Sequence, residues 1–294
     1  MYEAFFGFRE RPFHVTPDAR YFFPSVKHRE ALDSLYYAVT QRLGFVVVTG
    51  EIGAGKTTVC RALLKRLPAT TRVAIITNTR ITPRYLMGML LEELELPVGD
   101  RDPCWKLLSR LNEFLVEALA RDENVVLVMD EAQNLTPSVL EEVRLLSNLE
   151  TDETKLIQIV LVGQPELRGK LNLPQLAQLK QRIAVAFHLG PLSLQETEGY
   201  IQHRQVKAGA THSVFTPEAV EVIYGYSRGI PRLINLVCER ALLAAYADEI
   251  RRIDGSFLKT VIDELLVNHA GWNPGTSPTS MVLEAEEESA VAGV

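Results

Sequence analysis

Apolar positions along this chain fall into two rhythms. Short aliphatic and β-branched runs occur at Phe45–Thr49, which ends at Gly50, and at Arg72–Thr77, Asn124–Met129, Leu156–Val162 and Ile183–Leu189. Their length and the β-branched residues in them predict strands. Between them, apolar residues recur at helical spacing. Ala31, Leu32, Leu35, Tyr36 and Val39 line one face of residues 28–42. Further helices are predicted over Thr57–Leu67, 82–94, 104–121 and Pro137–Leu149, and over most of Glu166–Leu179. Buried-type strands alternating with helices predict a parallel sheet covered on both faces.

After Pro191 the strand rhythm stops. Helices are predicted at 193–208, 216–227, 231–248 and 254–267, with Ser193 and Glu196, and Thr216 ahead of Pro217, as starting signals. The organisation expected is therefore an aromatic and proline-rich strap at 1–27, an α/β domain at 28–190, a small all-helical domain at 191–268 and a disordered acidic tail at 269–294. The strap, with Phe5, Phe6, Phe8 and Phe13 among Pro12, Pro17 and Pro24, cannot form one continuous helix or strand. Its rings need a surface to pack on, and the expectation is that they lie on the domain that follows.

Charge and cysteine usage narrow the picture. The formal charge is −6. No basic residue follows Lys259, while Asp263, Glu264, Glu284, Glu286, Glu287 and Glu288 do, so residues 1–259 carry no net charge. A strongly basic nucleic-acid binder is disfavoured, although a local basic patch is not. Cys60, Cys104 and Cys238 are isolated and show no zinc spacing, as expected of thiols in a reducing compartment. The longest apolar runs fall far below the roughly 20 residues of a membrane span, and the N-terminus lacks a signal-peptide layout. A cytoplasmic location is expected, with any membrane role acting through a partner.

Two motifs carry chemistry. Gly50–Thr57 reads GEIGAGKT and lies between a predicted strand and a predicted helix. That is the context in which G-x-x-x-x-G-K-[ST] cradles phosphate on main-chain amides. Gly50, Glu51, Ile52, Gly53, Ala54, Gly55, Lys56, Thr57 and Thr58 are the candidate nucleotide-binding residues. Lys56 supplies positive charge to the β- and γ-phosphates, Thr57 a hydroxyl to Mg²⁺, and the helix that follows its dipole. The second motif, VVLVMDEAQ, ends an apolar strand with Asp130 and Glu131. Asp130 is the candidate partner of the metal, and Glu131 is placed to prepare an attacking water. The histidines show no metal spacing, and no serine or cysteine nucleophile motif is present.

With those residues in view, the chain resembles the AAA+ ATPases of the ExeA/GspA type, accessory ATPases of secretion, pilus and polysaccharide export, which are related to TnsC/TniB transposition ATPases. The resemblance rests on MYEAFFGFRERPFHVTPDARYFF, GFVVVTGEIGAGKTT, VVLVMDEAQNL, LVGQPEL with LKQRI, and GIPRLINLVCERAL, and covers about residues 1–268. It implies an α/β P-loop fold with a helical lid, and ATP and Mg²⁺ bound between the two. Gln164 matches a sensor beside the γ-phosphate, Arg232 a second sensor, and Arg182 an arginine finger acting on the neighbouring subunit. Asn78 matches the polar residue that restrains the catalytic glutamate, and Phe13 with Thr16 and Asp18 borders the adenine.

Each of these has a plainer alternative: Gln164 or Arg232 as a helix cap, Arg182 as a surface charge, Asn78 as a loop residue, and the strap as packing. The resemblance further implies a ring or helical homo-oligomer, hexamer-like, serving an envelope-machine client. Secretion members of the family continue into a membrane span and a peptidoglycan-binding domain, and neither is expected from these residues. Two rivals share the same motifs. One is a DNA-binding transposition regulator, using Arg80 and Arg84. The other is an ATP-binding scaffold with little turnover.

Overall fold

The computed structural model describes residues 1–14, 16, 18–99 and 102–270. Five strands form one sheet: β1 (Phe45–Gly50), β2 (Thr71–Ile76), β3 (Asn124–Met129), β4 (Ile157–Gly163) and β5 (Ile183–Leu189). Their spatial order is β2-β3-β4-β1-β5, and every pairing is parallel. Twelve helices occur among the described residues: α1 (Tyr2–Phe6), α2 (Val26–Thr40), α3 (Lys56–Arg66), α4 (Pro83–Glu93), α5 (Cys104–Ala120), α6 (Pro137–Leu146), α7 (Glu166–Leu171), α8 (Ala177–Gln181), α9 (Leu194–Lys207), α10 (Pro217–Ser227), α11 (Pro231–Ala247) and α12 (Gly255–Ala270).

The period-2 alternation of strand side chains divides the sheet's apolar residues between two layers. Phe45, Val47, Val125, Leu127, Met129, Ile159 and Leu161 face one core, with Leu86, Leu90, Leu107, Leu111, Val139 and Val143 from α4, α5 and α6. Val46, Val48, Val126, Val128, Val160 and Val162 face the other, with Leu35, Val39, Val59 and Leu63 from α2 and α3. The central strands β1, β3 and β4 are buried almost throughout, as their apolar runs predict. The edge strands differ from the expectation of five buried strands: in β2 and β5 exposed or half-exposed residues outnumber buried ones, because each has a neighbour on one side only. The buried Gln158 in β4 is satisfied inside the sheet. Its Oε1 accepts from the Gly44 amide at 2.8 Å and its Nε2 donates to the Lys155 carbonyl at 3.1 Å.

The described residues group into two units. One holds the sheet and its helices, from residue 16 to Glu196, together with Ile230–Arg232. The other comprises Met1–His14, Thr197–Gly229 and residues 233–270. This corrects the expectation that the whole strap lies on the α/β domain: its first fourteen residues belong to the helical unit. The reason is a set of bonds that only that unit offers. The buried Arg204 of α9 donates from Nε to the Pro12 carbonyl at 2.5 Å and from Nη2 to the His14 carbonyl at 3.2 Å. The Arg9 amide donates to the Ala208 carbonyl at 2.7 Å, and the Tyr2 hydroxyl to Glu239 at 2.7 Å.

The helix starts predicted at Ser193 and Thr216 both form. Ser193 and Glu196 cap each other reciprocally, at 2.9 and 3.2 Å. The Thr216 hydroxyl accepts from the Ala219 amide at 3.3 Å. Helix α12 runs to Ala270, so the first two residues assigned to the tail are helical, and the rest of it lies outside the described residues. Among the described residues no helix is long and apolar enough to cross a membrane.

Candidate nucleotide site

The site is built where β1, β4 and β3, in that spatial order, reach their C-terminal ends. In open parallel sheets this edge is where ligands bind. Strand β1 runs into the loop Gly50–Gly55, and α3 begins at Lys56. Gly53 and Gly55 adopt φ of 82° and 96°, a left-handed conformation that side chains resist, which turns the loop back on itself. Gly50 is required for a different reason: a Cβ there would lie 2.5 Å from the Leu189 carbonyl of β5.

Lys56 is buried, and its ammonium donates to the Gly50 and Glu51 carbonyls at 2.7 and 2.9 Å. Burial pulls its pKa down from the ordinary lysine value, while the charges of Glu131, Asp130, Glu51 and Glu166 act the other way. Ala54 is buried, Ile52 is 57% exposed, and Thr58 lies in the first turn of α3.

The loop is braced from two sides. The buried His28 of α2 lies 3.0 Å from the Ala54 carbonyl through Nε2 and 2.7 Å from Ser25 Oγ through Nδ1. A Cβ on Gly55 would come within 3.0 Å of the same Nε2. On the other side the Arg232 amide donates to the Gly53 carbonyl at 3.3 Å, and a Cβ on Gly53 would meet Arg232 Cβ at 2.4 Å. Arg232 is thus packed against the loop.

Two strands away, Asp130 emerges from β3. Its Oδ2 accepts from the Thr57 hydroxyl at 2.9 Å and its Oδ1 from the Glu131 amide at 2.9 Å. Thr57 and Asp130 present two hard oxygen donors side by side, the chemistry magnesium selects. Among the described residues no cluster of three or more histidine, cysteine or acidic side chains could hold a metal unaided. The donor set would therefore fit a magnesium ion that draws its remaining ligands from outside the protein.

Glu131 stands in a left-handed conformation, φ 53° and ψ 36°, at the start of a short 3-10 turn over Ala132–Asn134. Its Oε2 accepts from Gln133 Nε2 at 2.5 Å and from Gln164 Nε2 at 3.3 Å. Gln164 reaches it because β4 lies between β1 and β3. Asn78, which the resemblance sets to restrain Glu131, has its Oδ1 accepting from the Arg80 amide at 3.4 Å. Instead the neighbouring Thr79, buried, donates from its hydroxyl to the Glu131 carbonyl at 3.0 Å. Phe13, which the resemblance sets beside the adenine, belongs to the helical unit. Its ring is wholly buried in the helical unit, edge-on to Phe215 at 6.0 Å with the Arg204 guanidinium 6.0 Å from its centroid.

Arg182 lies at the other end of the sheet. It precedes β5, so the strand's seven residues separate it from the phosphate loop, about 20 Å at roughly 3.3 Å per residue. Its Nη1 donates to Ser147 Oγ at 2.8 Å.

The parallel sheet with a phosphate loop at its edge and an acidic pair two strands away defines a P-loop protein of the AAA+ class. Residues 39–171 match the family described as "AAA domain". The chain is 48% identical, over 84% of its length, to general secretion pathway protein A of Aeromonas hydrophila, of which it covers 45%. The chain is thus similar to general secretion pathway protein A over most of its own length, and it spans about half the length of that curated relative.

Solved structures share the fold. The Aeropyrum pernix ORC2 protein in its ADPNP–ADP complexes aligns with TM-score 0.64 at 18% identity, over 87% of this chain and 71% of that one. The Aeropyrum pernix ORC1 protein in complex with DNA aligns with TM-score 0.65 at 19% identity, over 88% and 70%.

Proposed function

We propose that the protein is an ATPase, hydrolysing ATP to ADP and phosphate. The observation that carries the reading is the hydrogen bond of 2.9 Å between the Thr57 hydroxyl and Asp130. It joins the phosphate loop to a strand end whose next residue, Glu131, carries a carboxylate held by two side-chain amides. Lys56 exchanges its two carbonyl partners for phosphate oxygens, and the amides of the loop and of α3's first turn take the remaining phosphate charge. Thr57 and Asp130 hold magnesium, which neutralises charge on the phosphates when bound. Glu131 orients a water and accepts its proton. In this reading Gln164 and Arg232 register the γ-phosphate.

Arg182 is too far from its own loop to serve it. Its place in the reading is on the nucleotide of the next copy in a homo-oligomer, ring or helical, where such an arginine stabilises charge on the transferring phosphoryl group. The identity to general secretion pathway protein A supports a client in an envelope secretion, pilus or export machine, served from the cytoplasmic side.

The test is Glu131→Gln in the full chain. ATP binding by calorimetry stays within about twofold of wild type, and steady-state turnover falls about 100-fold or more, the scale of losing a general base. Wild-type turnover in that variant removes Glu131 from the mechanism. Wild-type protein that binds ATP without turnover leaves a scaffold.

A further inference from the structure

We propose that Gln133 is a positioning residue for the ATPase reaction: its amide clasps the Glu131 carboxylate to the end of β4 and so sets the direction of the catalytic base. The inference rests on the ATPase reading above and adds a residue to it. Gln133 belongs to the motif VVLVMDEAQ, yet nothing in the spacing of that motif gives its side chain a task.

The amide spans two strand ends. Its Oε1 accepts from the Gln164 main-chain amide at 3.0 Å, and its Nε2 donates to Glu131 Oε2 at 2.5 Å. A main-chain N–H can only donate, so the oxygen of Gln133 must face Gln164 and the NH₂ must face Glu131. The orientation is fixed by chemistry. The Gln133 carbonyl in turn accepts from the Lys170 ammonium of α7, which also donates to the Leu135 carbonyl at 2.7 Å. The turn that carries Glu131 is therefore tied to the β4–α7 segment through both the side chain and the main chain of one residue.

Space for the clasp is made by Gly163, the last residue of β4. A Cβ there would lie 2.9 Å from Gln133 Oε1 and 3.2 Å from the Gln133 nitrogen. The φ of Gly163 is not among the positive values, so alanine at this position meets no left-handed backbone strain and acts by crowding Gln133 and the buried Leu167, whose Cδ2 would also lie 2.9 Å away. Glu131 itself is exposed and adopts a left-handed conformation unusual for a residue with a side chain. Without the clasp its carboxylate would sample several rotamers. With it, both described bonds to the carboxylate fall on Oε2, leaving Oε1 to take a proton from water.

The experiment compares the full chain with Gln133→Leu, Gly163→Ala and Glu131→Gln, measuring ATP turnover and, by calorimetry, ATP affinity. Gln133→Leu and Gly163→Ala are each expected to lower kcat about 10- to 100-fold, the range for a hydrogen bond to a charged group. KM and ATP affinity are expected to stay near wild type in both variants, and the melting temperature in Gln133→Leu, a split that a general loss of structure would not give. Adding Gln133→Leu to Glu131→Gln is expected to cost nothing further, because the clasp then has no base to orient.

Wild-type or raised kcat in Gln133→Leu, with Glu131→Gln inactive, overturns the inference and leaves the ATPase reading intact. Absence of turnover in the wild type overturns both. If Gln133→Leu fails to fold, Gly163→Ala carries the test alone, and an unchanged kcat in it is equally fatal.

Discussion

The brace under the phosphate loop makes a pH-dependent prediction that follows from one histidine. The Ala54 carbonyl can only accept, so His28 Nε2 carries the hydrogen and Nδ1 is bare, taking the Ser25 hydroxyl. The folded state is built around the neutral ring. Burial lowers the pKa of His28 from its ordinary 6.5, although the Ala54 carbonyl and the negative Glu196 favour the charged form. Below about pH 6.5 the unfolded chain binds a proton that the folded chain resists, so stability rises with pH through this window. It is fully present above that value, is lost as pH falls, and levels off once the folded ring itself titrates.

One pH unit below the unfolded value the loss is at most about 1.4 kcal/mol. Glutamine at position 28 can donate to Ala54 and accept from Ser25 without titrating. Urea unfolding of wild type and His28→Gln at pH 7.5 and 5.5 is the assay. Wild type is expected to lose up to about 1.4 kcal/mol more than the variant between the two pH values. Equal losses in the two proteins, or a smaller loss in wild type, would refute the neutral brace.

Other perturbations have equally direct readouts. Gln158→Leu should lower unfolding free energy by about 1–3 kcal/mol, since the buried Gly44 amide loses its acceptor; a neutral substitution would mean that water or another group replaces it. Gly50→Ala should separate β1 from β5 near Leu189, costing about 1–3 kcal/mol of stability and weakening ATP binding in calorimetry. An Arg182→Ala subunit mixed with wild type should depress turnover below the weighted average of the two, and turnover per subunit should rise with protein concentration; linear mixing would remove the action in trans. A thiol reagent added to the native protein should label the exposed Cys104 and spare Cys60, whose thiol burial pushes up to about 12, and the buried Cys238. Mass spectrometry after digestion distinguishes the three.

What the sequence disclosed and what it concealed divide along a physical line. The runs Phe45–Thr49 and Asn124–Met129 announce strands because a strand buried on both faces must be apolar throughout. The glycines, Lys56 and Thr57 of the loop, with Asp130 and Glu131, are legible for a similar reason: their chemistry needs those residue types at fixed spacing along one stretch of chain. The partners of Glu131 depend on the order of strands across the sheet. Gln164 meets it, and the Gln164 amide meets Gln133, because β4 lies next to β3, and no local spacing encodes that adjacency. Asn78, nearer in the family pattern, turns its side chain onto the Arg80 amide instead. The strap gave the same lesson at larger scale. Its rings plainly required burial, but the surface that receives Phe13 includes Phe215 and Arg204, far along the chain.

That last separation has a consequence for how the molecule is made. Arg204 follows the carbonyl it grips, that of Pro12, by 192 positions. A ribosome adding about 5–20 residues per second needs roughly 10–40 s to cover that distance. For that interval the aromatic rings of residues 1–14 have been synthesised while residues that will bury them have not. The phosphate-loop unit can complete its sheet meanwhile, while residues 1–14 await the helix that grips them.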